Sequence, residues 1–200
     1  MIAVAGEDCV FCAVVMPGEG TAESEHKNSI IHRKTEEPMV CDQFVHCTED
    51  ENGHLEHIEF RNEDQFNFGF DVVDALADKY PDKLAMLHIA NDLTERRFTF
   101  ADMKRASAQT ANYFTSLGIK KGDRVMLVLK RHYQFWFAMI ALHKIGAIPI
   151  PATNQLLEHD FEYRFNAAGI SAILCTADGD VAHQAEIAME KCPQVTVRVL

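Results

Sequence analysis

The chain has 200 residues, 48% of them hydrophobic, which is enough for one domain with its own core. Its formal net charge of −11 is unevenly spread: residues 1–64 hold 15 acidic against 4 basic side chains, and residues 65–200 hold 15 of each. An acidic leader on a neutral body lacks the basic stripe on which nucleic-acid binding rests.

The leader, residues 1–65, is expected to be solvated and irregular. Its apolar run, Cys9 to Met16, is far shorter than the roughly 20 residues of a spanning helix. Glu7 and Asp8 precede that run and the first basic residue is Lys27, so the charged start of a secretory signal is missing and the cytoplasm is the expected compartment. Met39 offers an alternative start, which would make residues 1–38 upstream sequence and leave a variable leader over 39–64. Cys9-Val-Phe-Cys12 is a C-x-x-C pair, followed by Cys41, His46, Cys47, His54 and His57. Tetrahedral zinc needs four ligands at short paired spacings, and no second pair closes this set, so no metal site is expected. The stretch EDCVFCAVV is similar to the opening of histidine-triad nucleotide hydrolases, without the alternating histidines that carry their chemistry. Cys175 and Cys192 fall in apolar surroundings and are expected to be reduced, small core residues.

From residue 66 the pattern becomes regular. Apolar spacing predicts a helix over Gly69–Tyr80, stopped by Pro81. Leu84–Ala90 and Arg97–Phe100 predict a hairpin across a polar turn. Thr99, with Asp102 three residues on, forms a capping-box pattern for a helix that ends at Gly118. Then follow strand 124–129, helix 133–145, strand 147–151, helix 158–168, strand 171–175, helix 180–191 and strand 195–200. The fold class is therefore α/β: a doubly wound, mostly parallel sheet with helices on both faces, preceded by a β-hairpin and the acidic leader. The last strand leaves an open edge.

Ligands of such sheets bind at the carboxyl ends of the strands, which here fall near Lys130-Arg131, Ala152-Thr153-Asn154 and Thr176-Ala177. Lys130, Arg131 and His132 form a basic cluster suited to a phosphate, or more plainly a solvated helix entry. Thr153 and Asn154 fit a ligand contact or a turn and helix cap. Phe135 and Trp136 are expected to pack in the core, and His88 and His143 to be satisfied core or surface groups rather than ligands. The turn ADGDV places Asp178 and Asp180 beside Gly179, a composition that repels phosphate.

Several stretches resemble a known family in the same order. KIGAIPIPAT is similar to the "(K/R)-x-G-A-x-x-(V/I)-P-x" signature of adenylate-forming, AMP-dependent synthetases and ligases. RRFTFADMKRASAQTANYFTSLGIKKGDRV resembles that family's opening strand and helix, FNFGFDVVDALADKYPDKLAML the helix before it, and HDFEYRFNAAGISAILCTAD the helix-strand pair after. The resemblance covers residues 66–200 and is nearest in flavour to acetyl- and medium-chain acyl-CoA synthetases. It implies an ATP-dependent ligase in which a carboxylate forms an acyl-adenylate and CoA then displaces AMP, with Mg²⁺ offsetting the phosphate charge. It also implies that Thr153 and Asn154 stand where CoA synthetases pass their pantetheine channel, and leaves Arg131 as a candidate phosphate contact. The family's T-S-G-T-T-G-x-P-K phosphate loop is not among these 200 residues, nor are arginines between Thr176 and Glu186, where acetyl-CoA synthetases grip the CoA 3′-phosphate. Residues 66–200 are thus expected to be the N-terminal part of a large synthetase domain, inactive by itself, whose natural partner is the remainder of the same polypeptide. The alternatives are an aryl-acid ligase, a peptide-synthetase adenylation domain, or a non-catalytic binding module.

Overall fold

The computed structural model describes the backbone of Ile2–Gly6 and Cys9–Val14, and residues 40–200 in full. The side chains of the Cys9–Cys12 pair, and Met39, lie outside the described residues. Strands β1 (Ile2–Gly6) and β2 (Cys9–Val14) pair antiparallel, and β3 (Val45–Glu49) and β4 (Leu55–Phe60) form a separate hairpin. The leader therefore carries more regular structure than its composition alone implies. Every β4 residue is exposed, and among the described residues β4 pairs with no strand but β3.

The expected helix over Gly69–Tyr80 is present but starts as a widened turn, Phe68–Asp74, before tightening into α1 (Ala75–Lys79). The Ala75 N–H reaches back five residues to the Phe70 carbonyl. Asn67 starts the turn: its side-chain oxygen accepts from Gly69 N at 3.0 Å, and its amide donates to the His143 carbonyl at 2.7 Å. The hairpin β5 (Leu84–Ala90) and β6 (Glu95–Thr99) follows as predicted, with β2 pairing to the free side of β5.

Helix α2 (Phe100–Ser116) begins at the predicted capping box. Asp102 N donates to Thr99 Oγ1 at 3.2 Å, and Thr99 N donates to the Asp102 carboxylate at 2.9 Å. That backbone hydrogen bond holds the Asp102 carboxyl below the usual carboxylate range.

Beyond it the chain alternates: β7 (Arg124–Val128), α3 (Gln134–Ile145), β8 (Ile148–Pro151), α4 (Glu158–Ala168), β9 (Ala172–Cys175), α5 (Val181–Glu190) and β10 (Val197–Val199). Gly146 ends α3 at φ 78°, and the Ala147 N–H returns to the Leu142 carbonyl, a closure that needs a residue without a Cβ penalty.

The four parallel strands run in the order β10-β9-β7-β8. Alternate residues of β7 explain the two covered faces. Val125 and Leu127 pack with Phe114, Ala138, Ala141 and Leu142 of α2 and α3. Met126 and Val128 pack with Phe161, Phe165, Val181 and Ala185 of α4 and α5. These four residues, Val125 to Val128, are fully buried, the pattern of a central strand in a doubly wound sheet. Cys175 and Cys192 are buried free thiols, as expected.

Strand β8 forms one edge of this sheet. Ile148 N donates to Asp123 O and Ala152 N to Leu127 O, so the even-numbered residues face β7 and Pro149 and Pro151 face outward. Proline has no N–H, so the outer edge presents carbonyls without donors and resists another strand.

Candidate functional site

Strand β7 leads through α3 to β8 on one side, and β9 leads through α5 to β10 on the other. The crossovers diverge between β7 and β9, which makes the crevice at their carboxyl ends the switch point of the sheet. Four side chains from the two strand exits meet there. His132 Nε2 stands 3.1 Å from Thr176 Oγ1 and 3.2 Å from Asp178 Oδ2, and Lys130 Nζ approaches the same carboxylate oxygen at 4.0 Å. Asp178 N donates to Thr176 Oγ1, which fixes the loop after β9. Thr176 is buried and Lys130 is mostly covered, while Asp178 lies on the outside of the cluster.

Lys130 adopts φ 45°, a left-handed backbone that a residue with a Cβ adopts at a cost of about 1–3 kcal/mol. Behind it, Tyr133 is wedged between the hairpin and α3. Its ring centroid is 5.3 Å from that of His88 and 5.0 Å from that of Phe98, and the Arg96 guanidinium lies 5.6 Å from the ring. His88 is buried with its Nδ1 unpartnered, and burial first, then the nearby Arg96 and His132, lower its pKa.

The sequence-derived candidates divide on this geometry. Of the basic cluster, Lys130 and His132 enter the crevice group, and Arg131 makes no hydrogen bond or ion pair with it. Thr153 is exposed and accepts from Gln155 N at 3.3 Å, a local turn contact, and Asn154 makes no hydrogen bond to the group. Thr153 instead borders a cleft of about 420 Å³ beside β8, lined also by Met126, Ile150, Tyr163 and Arg164. A second cleft of about 520 Å³ lies where Asn67 and Phe68 meet His143, Lys144 and Gly146 at the end of α3. Of the expected core residues, Trp136 packs partly buried against the hairpin cluster and Phe135 against the cluster of Val125, Leu127 and α3. The role of Asp178 was not legible in the sequence. Its composition suggests only repulsion, and its pairing with His132 spans 46 positions.

Among the described residues no three His, Cys, Asp or Glu converge on a common point. The Cys175 thiol donates to the Thr176 carbonyl, and burial pushes its pKa up to about 11, which leaves no thiolate for chemistry near neutral pH. Among the described residues no helix is long and apolar enough to cross a membrane.

Parallel strands, helices on both faces and polar groups gathered at the switch point place this chain among the doubly wound α/β proteins. It belongs to the AMP-binding enzyme family, whose profile matches residues 73–200. The chain is 33% identical over 141 residues, 68% of its length, to the mitochondrial acyl-coenzyme A synthetase ACSM5 of Rattus norvegicus. It is 36% identical over 104 residues, 52% of its length, to a crotonobetaine/carnitine–CoA ligase of Salmonella paratyphi A. These alignments span 24% and 20% of the two relatives, so the chain spans about a quarter or less of their length. Among solved structures it superposes on an acyl-CoA synthetase of Brucella canis with a TM-score of 0.59 at 25% identity, over 68% of this chain and 24% of that one. The N-terminal domain of FACL13 from Mycobacterium tuberculosis gives a TM-score of 0.59 at 24% identity, over 68% of this chain and 34% of that domain, a likeness of fold. The resemblance seen in the motifs is therefore one of descent, and the chain corresponds to an N-terminal part of an adenylate-forming enzyme.

Proposed function

We propose that the protein containing this chain is an ATP-dependent acyl-CoA synthetase. A carboxylate attacks the α-phosphate of ATP to give an acyl-adenylate and pyrophosphate, and the CoA thiol then displaces AMP. The observation that carries this reading is the 33% identity over 141 residues to an acyl-coenzyme A synthetase. The 200 residues supply the doubly wound half-sheet and one wall of a cleft, with Arg131, Thr153 and Asn154 as candidate contacts at the strand exits. They lack a Ser/Thr/Gly-rich loop able to cradle nucleotide phosphates, and are proposed to be inactive alone. The described residues do not fit a resident Mg²⁺ site, since no set of acidic side chains converges, so a divalent ion would accompany the ATP phosphates instead.

The test is a coupled assay for AMP release and CoA thiol consumption, run on the full-length protein with a panel of acetate, medium-chain and aromatic acids. AMP release that requires both an acid and CoA supports the reading. AMP formed with the acid but without CoA turnover indicates an adenylating enzyme of another kind, and no AMP with any acid overturns it.

A further inference from the structure

We propose that the cleft at the amino ends of β7 and β8 binds a small aromatic carboxylate, with its carboxylate held by Lys121 and His143 and its ring laid on Phe66 and Phe68. The site lies at the opposite end of the sheet from the switch-point crevice and stands independently of the ligase reading.

Two turns and one facing segment build the cleft. Lys121 precedes β7 and Gly146 precedes β8, and Gly122 N donates to the Gly146 carbonyl at 2.9 Å, which ties the two strand entries together. A Cβ on Gly146 would stand 3.1 Å from Lys121 Cγ, so its absence lets the lysine stem lie across the end of α3. Asp64 to Phe68 form the facing wall, fastened by the Asn67 amide, which donates to the His143 carbonyl at 2.7 Å. The cleft volume of about 520 Å³ falls in the range of small-molecule pockets.

Three observations set the chemistry. His143 departs from the satisfied group expected of it, because its Nδ1 is buried with no hydrogen-bond partner. A buried N–H without an acceptor is rarer in proteins than an unpaired acceptor, which assigns the ring proton to Nε2. Burial also lowers the His143 pKa and so keeps the ring neutral near pH 7. His143 therefore has one N–H, on Nε2, to offer a ligand. Lys121 is exposed and has no ion pair among the described residues. Carbonyls at the end of α3 that could have held its ammonium already accept from Asn67, Gly146 and Ala147. Phe66 and Phe68 are 41% and 42% exposed, yet both are held in place: Phe44 stacks on Phe66 at 4.9 Å between centroids, and His143 meets Phe68 edge-on at 5.6 Å.

Two donors without acceptors and two ordered aromatic rings around one cleft match a flat acid. Its carboxylate accepts from both donors, the ammonium bond being the stronger, and its ring covers apolar surface that the chain leaves open. Asp64 is the lining group that opposes an anion, and its exposure leaves that repulsion screened by water and salt.

The experiment follows the imidazole resonance of His143 in full-length protein labelled at histidine and free of ATP, with the peak assigned by its loss in His143→Gln. Benzoate, benzamide and acetate are titrated separately. Benzoate is expected to give a saturable shift, with a Kd about tenfold higher in Lys121→Gln. Benzamide, which keeps the ring and loses the charge, and acetate, which keeps the charge and loses the ring, should each bind at least about tenfold more weakly than benzoate. Phe68→Leu serves as a second weakening variant. A His143 resonance unmoved by benzoate overturns the proposal, as does benzamide or acetate binding as tightly as benzoate. An unchanged benzoate Kd in folded Lys121→Gln or Phe68→Leu overturns it too, since the shift would then report binding elsewhere.

Discussion

Lys144 and Asp74 form the most deeply covered ion pair among the described residues. Their side chains are 3% and 15% exposed, Nζ lies 2.7 Å from Oδ1, and the ammonium also reaches the Lys104 carbonyl at 3.4 Å. The pair ties the widened turn before α1 to the last turn of α3, across 70 residues of sequence. Lys144→Met keeps most of the apolar stem but strips the counter-charge from a covered carboxylate. Breaking one side of a buried pair costs about 3–5 kcal/mol. The residual water access of Asp74 sets the expected loss at the lower end, about 3 kcal/mol. Lys144→Met combined with Asp74→Leu removes both desolvation penalties, and is expected to return to within about 1 kcal/mol of the parent. Equilibrium urea unfolding reads the difference directly: with m near 2 kcal/mol/M, the single variant lowers the midpoint by about 1.5 M at unchanged m. A single variant within about 0.5 kcal/mol of the parent would refute the assignment of this pair as a fastening of the turn to α3. A double variant no better than the single one would refute the desolvation argument.

Gly69 lies against the same lysine: a Cβ there would stand 2.5 Å from Lys144 Cγ and 3.2 Å from the Ile140 carbonyl. Gly69→Ala is expected to lower stability by about 1–3 kcal/mol through overpacking, measured in the same urea titration. His88 and His143 both have pKa values lowered, chiefly by burial, with Arg96 and His132 adding to the effect on His88. The folded state resists protonating them, so their contribution is complete above the ordinary histidine pKa and declines as pH falls from there toward the lowered values. Replacing both with Leu should flatten the fall in urea midpoint between about pH 6.5 and 5, and an unchanged slope would assign that fall to other groups. The raised Cys175 pKa and its burial predict no alkylation by iodoacetamide at pH 8 in the native protein and rapid reaction once urea unfolds it. Mass-spectrometric detection of native-state labelling at Cys175 would contradict the packing described for the end of β9.

Local chemistry alone determined much of this molecule. The Thr99–Asp102 box starts α2 and Gly146 ends α3, because caps are satisfied within a few residues of chain. Short apolar runs at β7 and β9, separated by helical spacing, specified parallel strands covered on both faces, and the motifs built on them carried the family resemblance. Strand order was decided elsewhere. The arrangement β10-β9-β7-β8 depends on which faces α2 to α5 can bury together, a choice made by packing between distant segments. That order alone brings Asp178 to His132 and Lys130, and it gives Pro149 and Pro151 their outward positions on an edge. Sequence periodicity reports how a segment meets a generic apolar surface and contains no term for which surface it meets. Partners 46 and 70 residues apart, such as His132 with Asp178 and Asp74 with Lys144, are therefore visible only once the sheet has closed around them.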